Sequence, residues 1–499
     1  MKFIHLADLH IGKRVNAFSM LEDQRYILKQ ILSILREEQP DGGVILAGDI
    51  YDKAIPSAEA VELFDEFLYQ LSVLKLRVFV IAGNHDSPER IAFGNRLMDH
   101  EGIYLSPVYD GSVKRISCVE GADTDNASVR TADADASVSY AADVHDPAPD
   151  APTDAFPPVD VYLLPFLKPA NVRRFYPEEQ IVSYTDALRV AISHMDIDPT
   201  HRNVLVTHQF VTGASRSDSE DLSVGGTDNV DASVFAPFDY VALGHLHGPQ
   251  QIHSPSDRDH PAAEEDNTFH RDHPAAEEDN TFHRDHPAAE GDNTFQRDHP
   301  AAEKRTSVED RSVLEESTEP SAEETTSTEE STRGPILRYA GTPLKYSFSE
   351  AHHHKSVTIV ALGAKKADGT TDIDIRTREL TPLRDMRELR GSYEELTLRS
   401  NYEGTATDDY LHVTLTDEIE VPDAARRLQV IYPNLMKLDY DNARTRGQRS
   451  ESWELEDLEK KSPLDLFSEL FDKQNHKDMT AEQAHYMAAQ IEKIWENQE

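Results

Sequence analysis

The sequence has almost no cysteine and no long hydrophobic run, and both absences narrow the class of protein. With Cys118 as its single cysteine, the chain of 499 residues cannot form an internal disulfide framework, which favours a reducing compartment. No run of 18 or more apolar residues is present, so the sequence offers no membrane span. Because Asp8 and His10 follow the start so closely, we expect no signal peptide and a cytoplasmic protein.

Basic residues are also scarce. The chain has 50 Lys and Arg against 92 Asp and Glu, a formal net charge of −42. Taken alone, this charge argues against a nucleic-acid substrate, because phosphates attract cations. The acidic excess is uneven, however, since residues 120–160 and 257–333 account for −24 of it and leave −18 for the rest. A polyanion would need a local basic surface, a partner or bound metal, so net charge does not exclude nucleic acid.

Two acidic segments lack the apolar residues of a folded core. Residues 119–158 are rich in Ala, Asp, Ser and Pro, and we predict a disordered acidic insertion there. Residues 252–333 contain an acidic 13-residue repeat that starts at Arg258 and recurs at Arg271 and Arg284. Each copy has one Phe, too little to bury a core, so we expect a surface loop. Weak binding of a transition metal by the six repeat histidines is an alternative that the composition disfavours.

Outside these segments, polar residues follow apolar runs at five places. The runs, such as residues 44–47, predict buried strands, and amphipathic stretches such as residues 21–36 predict helices between them. This alternation predicts an α/β fold with a mostly parallel, layered sheet, and ligands bind beyond the carboxyl ends of such strands. The polar side chains that follow the five runs are Asp8 and His10, Asp49, Asn84, His208, and His245 and His247.

These seven side chains predict a site for two divalent metal ions. Asp49 lies centrally in the set, and a carboxylate is suited to bridge two ions. Mixed imidazole, carboxylate and amide ligands favour Mn, Fe or Zn over Ca and exclude a cysteine-based structural zinc. One ion would be completed by Asp8, His10 and one distal His, and the other by Asn84, His208 and the second distal His.

Three further residues are candidates for a catalytic role. His85 follows Asn84 and is placed to donate a proton or stabilise the transition state rather than to bind metal. Asp86 is expected to orient the His85 imidazole through a hydrogen bond. For Asp52, simple turn chemistry and a direct role are equally open.

The chain after residue 334 adds closing strands and then a smaller unit. Residues 336–343 and 356–362 predict strands that complete the sheet. A strand–helix–strand pattern predicts a compact α+β capping domain within residues 380–450. Residues 451–499 predict two amphipathic helices with little chain left to cover them, so they either bind a partner or pack against the cap.

The motifs together resemble the calcineurin-like metallophosphoesterases. They are Asp8-x-His10, Gly48-Asp49-x-x-Asp52, Gly83-Asn84-His85-Asp86, His208 and Gly244-His245-x-His247. The run Gly-Thr-Pro-Leu-Lys-Tyr-Ser at 341–347 and the cap narrow the resemblance to the SbcD-type nuclease subunits of bacteria. The resemblance implies a layered metallophosphoesterase sandwich formed by residues 1–118, 159–251 and 334–379. The insertions at 119–158 and 252–333 depart from the family pattern.

The resemblance also implies ligand sets, an activity and partners. One ion would be held by Asp8, His10, Asp49 and His247, and the other by Asp49, Asn84, His208 and His245, with His85 catalytic. The ions would be manganese, and the reaction would be 3′-to-5′ exonuclease cleavage of duplex DNA and endonuclease cleavage of hairpins or single strands. The roles implied are DNA repair, replication and recombination. The partner would be an SbcC-type coiled-coil ATPase bound by the tail helices, with a homodimer forming through residues 57–74 and 88–99 inside a heterotetramer.

Two other functions compete with the DNA nuclease. A binuclear phosphodiesterase or phosphatase for small molecules or phosphoproteins is mildly favoured by the acidic composition and disfavoured by the cap and tail. A non-catalytic binding module is disfavoured because the ligand set and His85 are all present.

Overall fold

The computed structural model describes residues 1–120, 129–130, 157–217, 229–252, 334–446 and 463–475, with isolated positions between 477 and 491. Most of the two predicted insertions and of the second tail helix lie outside the described residues. Within the described ranges, no helix combines the length and the hydrophobicity that a membrane span requires.

The described residues form strands in two large sheets and several small ones. In chain order the strands are β1 (Lys2–Leu6), β2 (Arg14–Val15), β3 (Phe18–Ser19), β4 (Gly43–Ala47), β5 (Val78–Ile81), β6 (Ile103–Leu105), β7 (Lys114–Cys118), β8 (Val129–Arg130), β9 (Val159–Leu163), β10 (Arg202–His208), β11 (Phe210–Val211), β12 (Asn229–Val230), β13 (Tyr240–Gly244), β14 (Gln250–Ile252), β15 (Ile336–Tyr339), β16 (Ser356–Lys365), β17 (Thr371–Glu379), β18 (Met386–Gly391), β19 (Tyr410–Leu415) and β20 (Leu435–Tyr440). The α-helices are α1 (Leu21–Glu38), α2 (Ala58–Val73), α3 (Pro88–Ile91), α4 (Asn95–Met98), α5 (Pro169–Arg173), α6 (Tyr184–Ser193), α7 (Tyr393–Thr397), α8 (Arg399–Tyr402), α9 (Ala424–Leu428) and α10 (Pro463–Asn475).

The two large sheets have different strand orders. The first runs β17-β16-β1-β4-β5-β6, and the second runs β14-β15-β13-β10-β9-β7-β8. In the first, β1, β4, β5 and β6 are parallel neighbours, whereas β16 and β17 add antiparallel strands at one edge. In the second, β9, β10, β13 and β15 are parallel. The predicted α/β layered sandwich is confirmed, but the two closing strands join different sheets instead of completing one.

Alternating side chains explain why the sheets pack face to face. Because successive residues of a strand point to opposite faces, one half of each strand can fill the interior of the sandwich. Phe3, Ile45 and Phe79 from the first sheet lie in one buried cluster with Val161 and Val204 from the second. The remaining strand residues face the outer helices, so the layers are helix, sheet, sheet and helix.

The outer helices follow the amphipathic pattern of the sequence. α1 and α2 cover the first sheet, where α1 buries a stripe that includes Ile27, Ile31 and Leu35. The Ser57 side chain caps α2 by accepting a hydrogen bond from the Ala60 backbone at 3.3 Å, as its position before the helix predicts. α6 covers the second sheet with its own buried face.

A third sheet forms the core of the segment predicted as a cap. Strands β18, β19 and β20 are parallel and pack with α9 around a separate apolar cluster. This segment contacts the sandwich through polar bonds, since the Tyr410 hydroxyl donates to Asp23 at 2.7 Å and Arg384 donates to the same carboxylate at 2.9 Å. These contacts fix it against the start of α1, the helix that follows the first pair of predicted ligands.

Candidate metal centre

The seven predicted ligands meet at one edge of the sandwich, where strands of both sheets end. Asp8 and His10 follow β1, Asp49 follows β4 and Asn84 follows β5, so the first sheet supplies four of them. His208 ends β10, and His245 and His247 follow β13, so the second sheet supplies three. All but Asn84 are buried.

Two glycines allow the strand ends to approach closely. A Cβ atom on Gly83 would lie 2.1 Å from Asp49 Oδ1, and one on Gly244 would lie 1.9 Å from the Ala47 carbonyl oxygen. The Gly83 Cβ would also lie 2.4 Å from the Asp49 backbone nitrogen, so in both places a larger residue would meet backbone and push the loops apart. In both the Gly-Asn-His-Asp and the Gly-His-x-His motif, the glycine is therefore the only residue small enough to fit.

The ligand loops carry strained backbone. Asp8, His10 and Asp49 have φ angles of 53°, 44° and 49°, and His245 has a φ of 99°. Such conformations are unfavourable for residues other than glycine and persist where the surrounding structure imposes them, commonly at functional sites. The loops thus orient the candidate ligand side chains by adopting unfavourable backbone conformations.

Asp49 lies between two groups of polar side chains. Its Oδ2 atom is 3.3 Å from His208 Nε2 on one side and 3.6 Å from His10 Nε2 on the other. Its Oδ1 atom accepts a hydrogen bond from the His85 backbone at 2.9 Å. A carboxylate that reaches both groups at once is suited to bridge two ions.

One group surrounds the Asn84 amide oxygen. His208 Nε2 and His245 Nδ1 each lie 2.9 Å from Asn84 Oδ1. The other ring nitrogen of His208, Nδ1, donates to the Ala47 carbonyl oxygen at 2.9 Å and so fixes the ring across the two sheets. Asp8 joins this side, because its carboxylate accepts the His245 backbone N–H at 2.9 Å.

The second group contains facing imidazoles. His10 Nε2 and His247 Nε2 lie 3.1 Å apart in the buried interior of the site. The opposite ring nitrogen of His247, Nδ1, lies 3.3 Å from Glu350 Oε1, which leaves Nε2 directed toward His10. Two ring nitrogens converging on one point form an arrangement that ligands of a shared cation adopt.

Burial and neighbouring charges shift the pKa values of the carboxylate and the imidazoles in different ways. Burial would raise the pKa of Asp49, but the neighbouring His208 outweighs it and holds that pKa well below its usual value. Burial would lower the pKa of His208, but the Asp49 charge and hydrogen bond raise it to about 9. Burial lowers the pKa of both His10 and His245 well below the usual value. Neutral His10 and His245 beside an ionised Asp49 are in the protonation states in which these side chains bind metal, whereas His208, with its raised pKa, has to release a proton to bind an ion.

The donor set therefore fits divalent cations. Two groups have ligand atoms that all lie within 4.8 Å of one another, one formed by His10, Asp49 and His85 and the other by Asp8, Asp49 and His208. Asp49 belongs to both. The groups differ from the sequence prediction in two respects, because Asp8 lies with His208 rather than with His10, and His85 lies within ligand range.

The three predicted catalytic residues have different surroundings. His85 is partly exposed, and its Nδ1 atom lies 3.2 Å from the Asp52 carbonyl oxygen. The Asp52 carboxylate accepts a hydrogen bond from Lys13 at 2.9 Å and lies 4.0 Å from His10 Nδ1. Asp52 therefore touches the site through both its backbone and its side chain.

Asp86 has a role that differs from the expected one. Both of its oxygens accept backbone N–H groups, from Ile50, Tyr51 and Gly83, at distances of 2.9 to 3.0 Å. Burial and the Asp49 charge raise its pKa to about 6. Asp86 ties the loop after β5 to the loop after β4, whereas the group that contacts the His85 ring is the Asp52 carbonyl oxygen.

The residues that hold the ligands from behind were not predicted from the sequence. Glu350 is fully buried against His247 and forms an ion pair with Lys355. Tyr346 donates its hydroxyl to the Leu9 carbonyl oxygen at 2.7 Å, and its ring contacts His10 edge-on. Tyr346 belongs to the run at 341–347, from which only the family was inferred. That motif was the one feature of the sequence that could have indicated a role for Tyr346 at the site.

Comparisons with known proteins agree with this geometry. Residues 1–249 match a family model described as calcineurin-like phosphoesterase, and residues 382–475 match the SbcD_C model, described as type 5 capsule protein repressor C-terminal domain. Similar proteins include one from Staphylococcus epidermidis that is named as a subunit of the nuclease SbcCD, 25% identical over 442 residues that cover 88% of this chain and 85% of the relative. One of the same name from Staphylococcus saprophyticus is 26% identical over 442 residues, covering 88% and 84%.

Proposed function

Because the chain belongs to the calcineurin-like metallophosphoesterases and carries the C-terminal domain of the SbcD type, we propose that it is a metal-dependent DNA nuclease. The observation that carries the proposal is the position of Asp49 between His208 Nε2 and His10 Nε2, with Asp8, Asn84, His245 and His247 around it. This is a hydrolase of phosphodiester bonds with a site for two ions.

Seven side chains would hold the ions. Asp49 would bridge them, with His10 and His247 on one ion and Asn84, His208 and His245 on the other. The family resemblance assigns Asp8 to the His10 ion, whereas in the structure its Oδ1 atom lies 3.9 Å from His208 Nδ1. Their mixed oxygen and nitrogen donors suit Mn²⁺, which we propose as the metal. When bound, two such ions supply a hydroxide nucleophile near neutral pH and neutralise charge on the phosphoryl oxygens.

His85 is the residue we assign to proton transfer. Its backbone N–H donates to Asp49 Oδ1 at 2.9 Å, so the loop that contains His85 is hydrogen-bonded to the proposed bridging carboxylate. With Nδ1 directed at the Asp52 carbonyl oxygen, Nε2 remains facing the site at 3.9 Å from Asp49 Oδ2. The side chain is partly exposed while the ligands are buried, so a substrate can reach it. His85 would hold or release a proton at Nε2.

The proposed substrate is DNA, cleaved 3′-to-5′ from duplex ends and endonucleolytically at hairpins and single strands in repair, replication and recombination. The relatives' name, which places them in SbcCD, supports an SbcC-type ATPase as the partner, with helices in 451–499 as its docking segment. We propose residues 380–450 as the capping domain and the cytoplasm as the site of action. Exposed Phe93 and Leu97, at 83% and 77% exposure, support dimerisation through the 88–99 region.

A phosphodiesterase acting on a non-DNA substrate is the alternative. The net charge of −42 mildly favours it, because a negatively charged chain repels a long polyanion more strongly than a small phosphodiester. Under this alternative every proposed metal ligand keeps its assignment, and only the substrate differs.

The test is hydrolysis of a labelled DNA hairpin and a blunt duplex with Mn²⁺, alone and with an SbcC-type ATPase. A generic phosphodiester, bis-p-nitrophenyl phosphate, is assayed in parallel. DNA cleavage that requires metal supports the nuclease. Turnover of the generic ester without DNA cleavage, even with the partner present, would establish the alternative.

A further inference from the structure

The segment that follows β15 packs against His247 at the candidate metal centre. Gly341 has a φ of 75°, and a Cβ there would lie 2.8 Å from the His247 carbonyl oxygen. The Thr342 backbone N–H donates to the same oxygen at 3.1 Å. From there the chain continues past Tyr346 to Glu350 and Lys355, so one segment contacts His247 at its backbone and at its ring.

Glu350 and Lys355 form a buried ion pair against His247. Glu350 Oε1 lies 3.3 Å from His247 Nδ1, and Glu350 Oε2 accepts from Lys355 Nζ at 2.5 Å. The same ammonium donates to the His247 carbonyl oxygen at 2.9 Å and to Thr342 Oγ1 at 2.7 Å. Glu350 is 0% exposed and Lys355 is 5% exposed. Three acceptors around one ammonium satisfy its three donors, which an ion pair needs when it is this deeply buried.

The geometry determines which nitrogen of His247 is available to a ligand. A carboxylate oxygen only accepts hydrogen bonds, so the Nδ1 atom that faces Glu350 must carry the proton. The lone pair is then on Nε2, the atom that lies 3.1 Å from His10 Nε2. In His208, the Nδ1 atom faces the backbone carbonyl oxygen of Ala47 instead of a carboxylate. A carboxylate therefore orients the imidazole of one ligand group, and a backbone carbonyl orients that of the other.

We propose that Glu350, fixed by Lys355, is a positioning residue that holds His247 in the ligand tautomer and thereby sets metal affinity at one of the two positions. This inference rests on the proposed function, because it requires that His247 bind an ion. Metal-binding histidines commonly donate their second N–H to a carboxylate, and loss of that carboxylate weakens metal affinity by about 10–100-fold. The effect belongs to the ion on the His10 side and leaves the Asn84 side unchanged.

Two variants separate positioning from folding. Glu350→Gln keeps the shape and an acceptor atom but removes the charge, and it leaves the Lys355 ammonium without its counter-ion. The double variant Glu350→Gln, Lys355→Gln removes both charges, so neither charge of the pair is left buried without the other. The control is Glu120→Gln, which breaks another ion pair, with Arg202 at 2.9 Å, near the start of β10 and therefore at the opposite end of the strands.

The experiment is calorimetric titration with Mn²⁺ of the full chain, with metal content checked by mass spectrometry and folding checked by thermal unfolding without metal. We expect two ions in the wild type and in Glu120→Gln. In both Glu350 variants one ion should bind normally and the other should bind about 10–100-fold more weakly, with cleavage restored at high Mn²⁺. Two ions of unchanged affinity, or equal weakening of both, would overturn the inference. Fewer than two ions in the wild type would overturn the proposed metal centre itself, and the inference with it.

Discussion

The two sheets contribute chemically different halves of the candidate metal centre. Among the seven candidate ligands, the first sheet supplies the oxygen donors Asp8, Asp49 and Asn84 and one imidazole, His10, whereas the second supplies imidazoles alone. Carboxylate and amide oxygens therefore come from one sheet and most of the imidazoles from the other. Neither half is a binuclear site by itself, so the site exists only where the two sheets pack.

The two halves are also held in place differently. Positive φ angles occur on both sides, at Asp8 and Asp49 and also at His245, but Asp86 fastens only loops of the first sheet, through backbone N–H groups. The imidazole side is positioned through ring nitrogens, by the Ala47 carbonyl oxygen on His208 and by Glu350 on His247. Hydrogen bonds to the backbone thus fix the loops of the first sheet, and hydrogen bonds to ring nitrogens select the tautomers of imidazoles from the second.

The largest effect is expected from Asp49→Ala, because Asp49 is the residue that both proposed metal positions share. The variant should lose tight binding of both ions, and DNA cleavage should fall to background. Metal content by mass spectrometry and cleavage of a labelled hairpin measure the two losses. Asp372→Ala breaks an exposed ion pair with Lys366 and serves as the control that should leave both readings unchanged.

His85→Ala should separate catalysis from metal binding. Loss of proton transfer is expected to lower the cleavage rate by about 10²–10⁴-fold, while metal content stays near the wild-type level. Single-turnover cleavage and metal analysis of the same sample make the comparison. Retained activity would refute the catalytic assignment of His85, and loss of metal would make it a ligand, as its place in the His10 group allows.

A paired experiment, His10→Ala beside His208→Ala, should separate the two metal positions. Each change removes one imidazole from one side of Asp49, so each variant should retain about one tightly bound ion. Titration with Mn²⁺ gives the stoichiometry. Loss of both ions from either variant would show that the two positions fill only together and would contradict the assignment of His10 and His208 to separate positions.

The smallest effect concerns a histidine inside the sandwich. His5 on β1 lies 3.0 Å from the Tyr240 hydroxyl on β13, and burial, aided by the Arg338 charge, lowers its pKa to about 3. The unfolded chain takes up this proton below about pH 6.5 and the folded chain does not, so stability should fall as pH drops from 6.5 toward 3, by at most about 1.4 kcal/mol per unit.

Urea unfolding at pH 5.5 and pH 7.5 measures that slope. The variant His5→Gln cannot titrate and should show a smaller difference between the two pH values. The same difference in both proteins would mean that His5 does not contribute to it.

The meeting of the candidate ligands could be predicted because they follow buried strands, where an apolar run and a polar end are visible together in the sequence. The strand containing residues 44–47, for example, was expected and is observed as Gly43–Ala47. What the pattern of strands and helices could not provide was the division into two sheets, which the resemblance to the family alone implied. A single alternation of strands and helices is compatible with one sheet or two, and only packing of alternate side chains decides.

The residues that contact the candidate ligands from behind could not be predicted either, because tertiary packing brings them together. Glu350 lies 103 residues from His247 in the chain and sits in a short turn, where a Glu is ordinarily a surface residue. Strand β18, with the sequence Met-Arg-Glu-Leu-Arg-Gly, was missed because its charged residues hide the alternation. Long-range partners and charged edge strands are determined by tertiary contacts.

The central claim is that Asp49 joins two metal positions, each of which is completed by side chains from both sheets. Low-temperature electron paramagnetic resonance of the protein loaded with two equivalents of Mn²⁺ tests it most directly, because ions about 3.5–4 Å apart that share a carboxylate are magnetically coupled. We predict a coupled dimanganese signal in the wild type that is replaced by isolated Mn²⁺ in Asp49→Ala. A wild-type spectrum of isolated Mn²⁺ alone at this loading would contradict the claim.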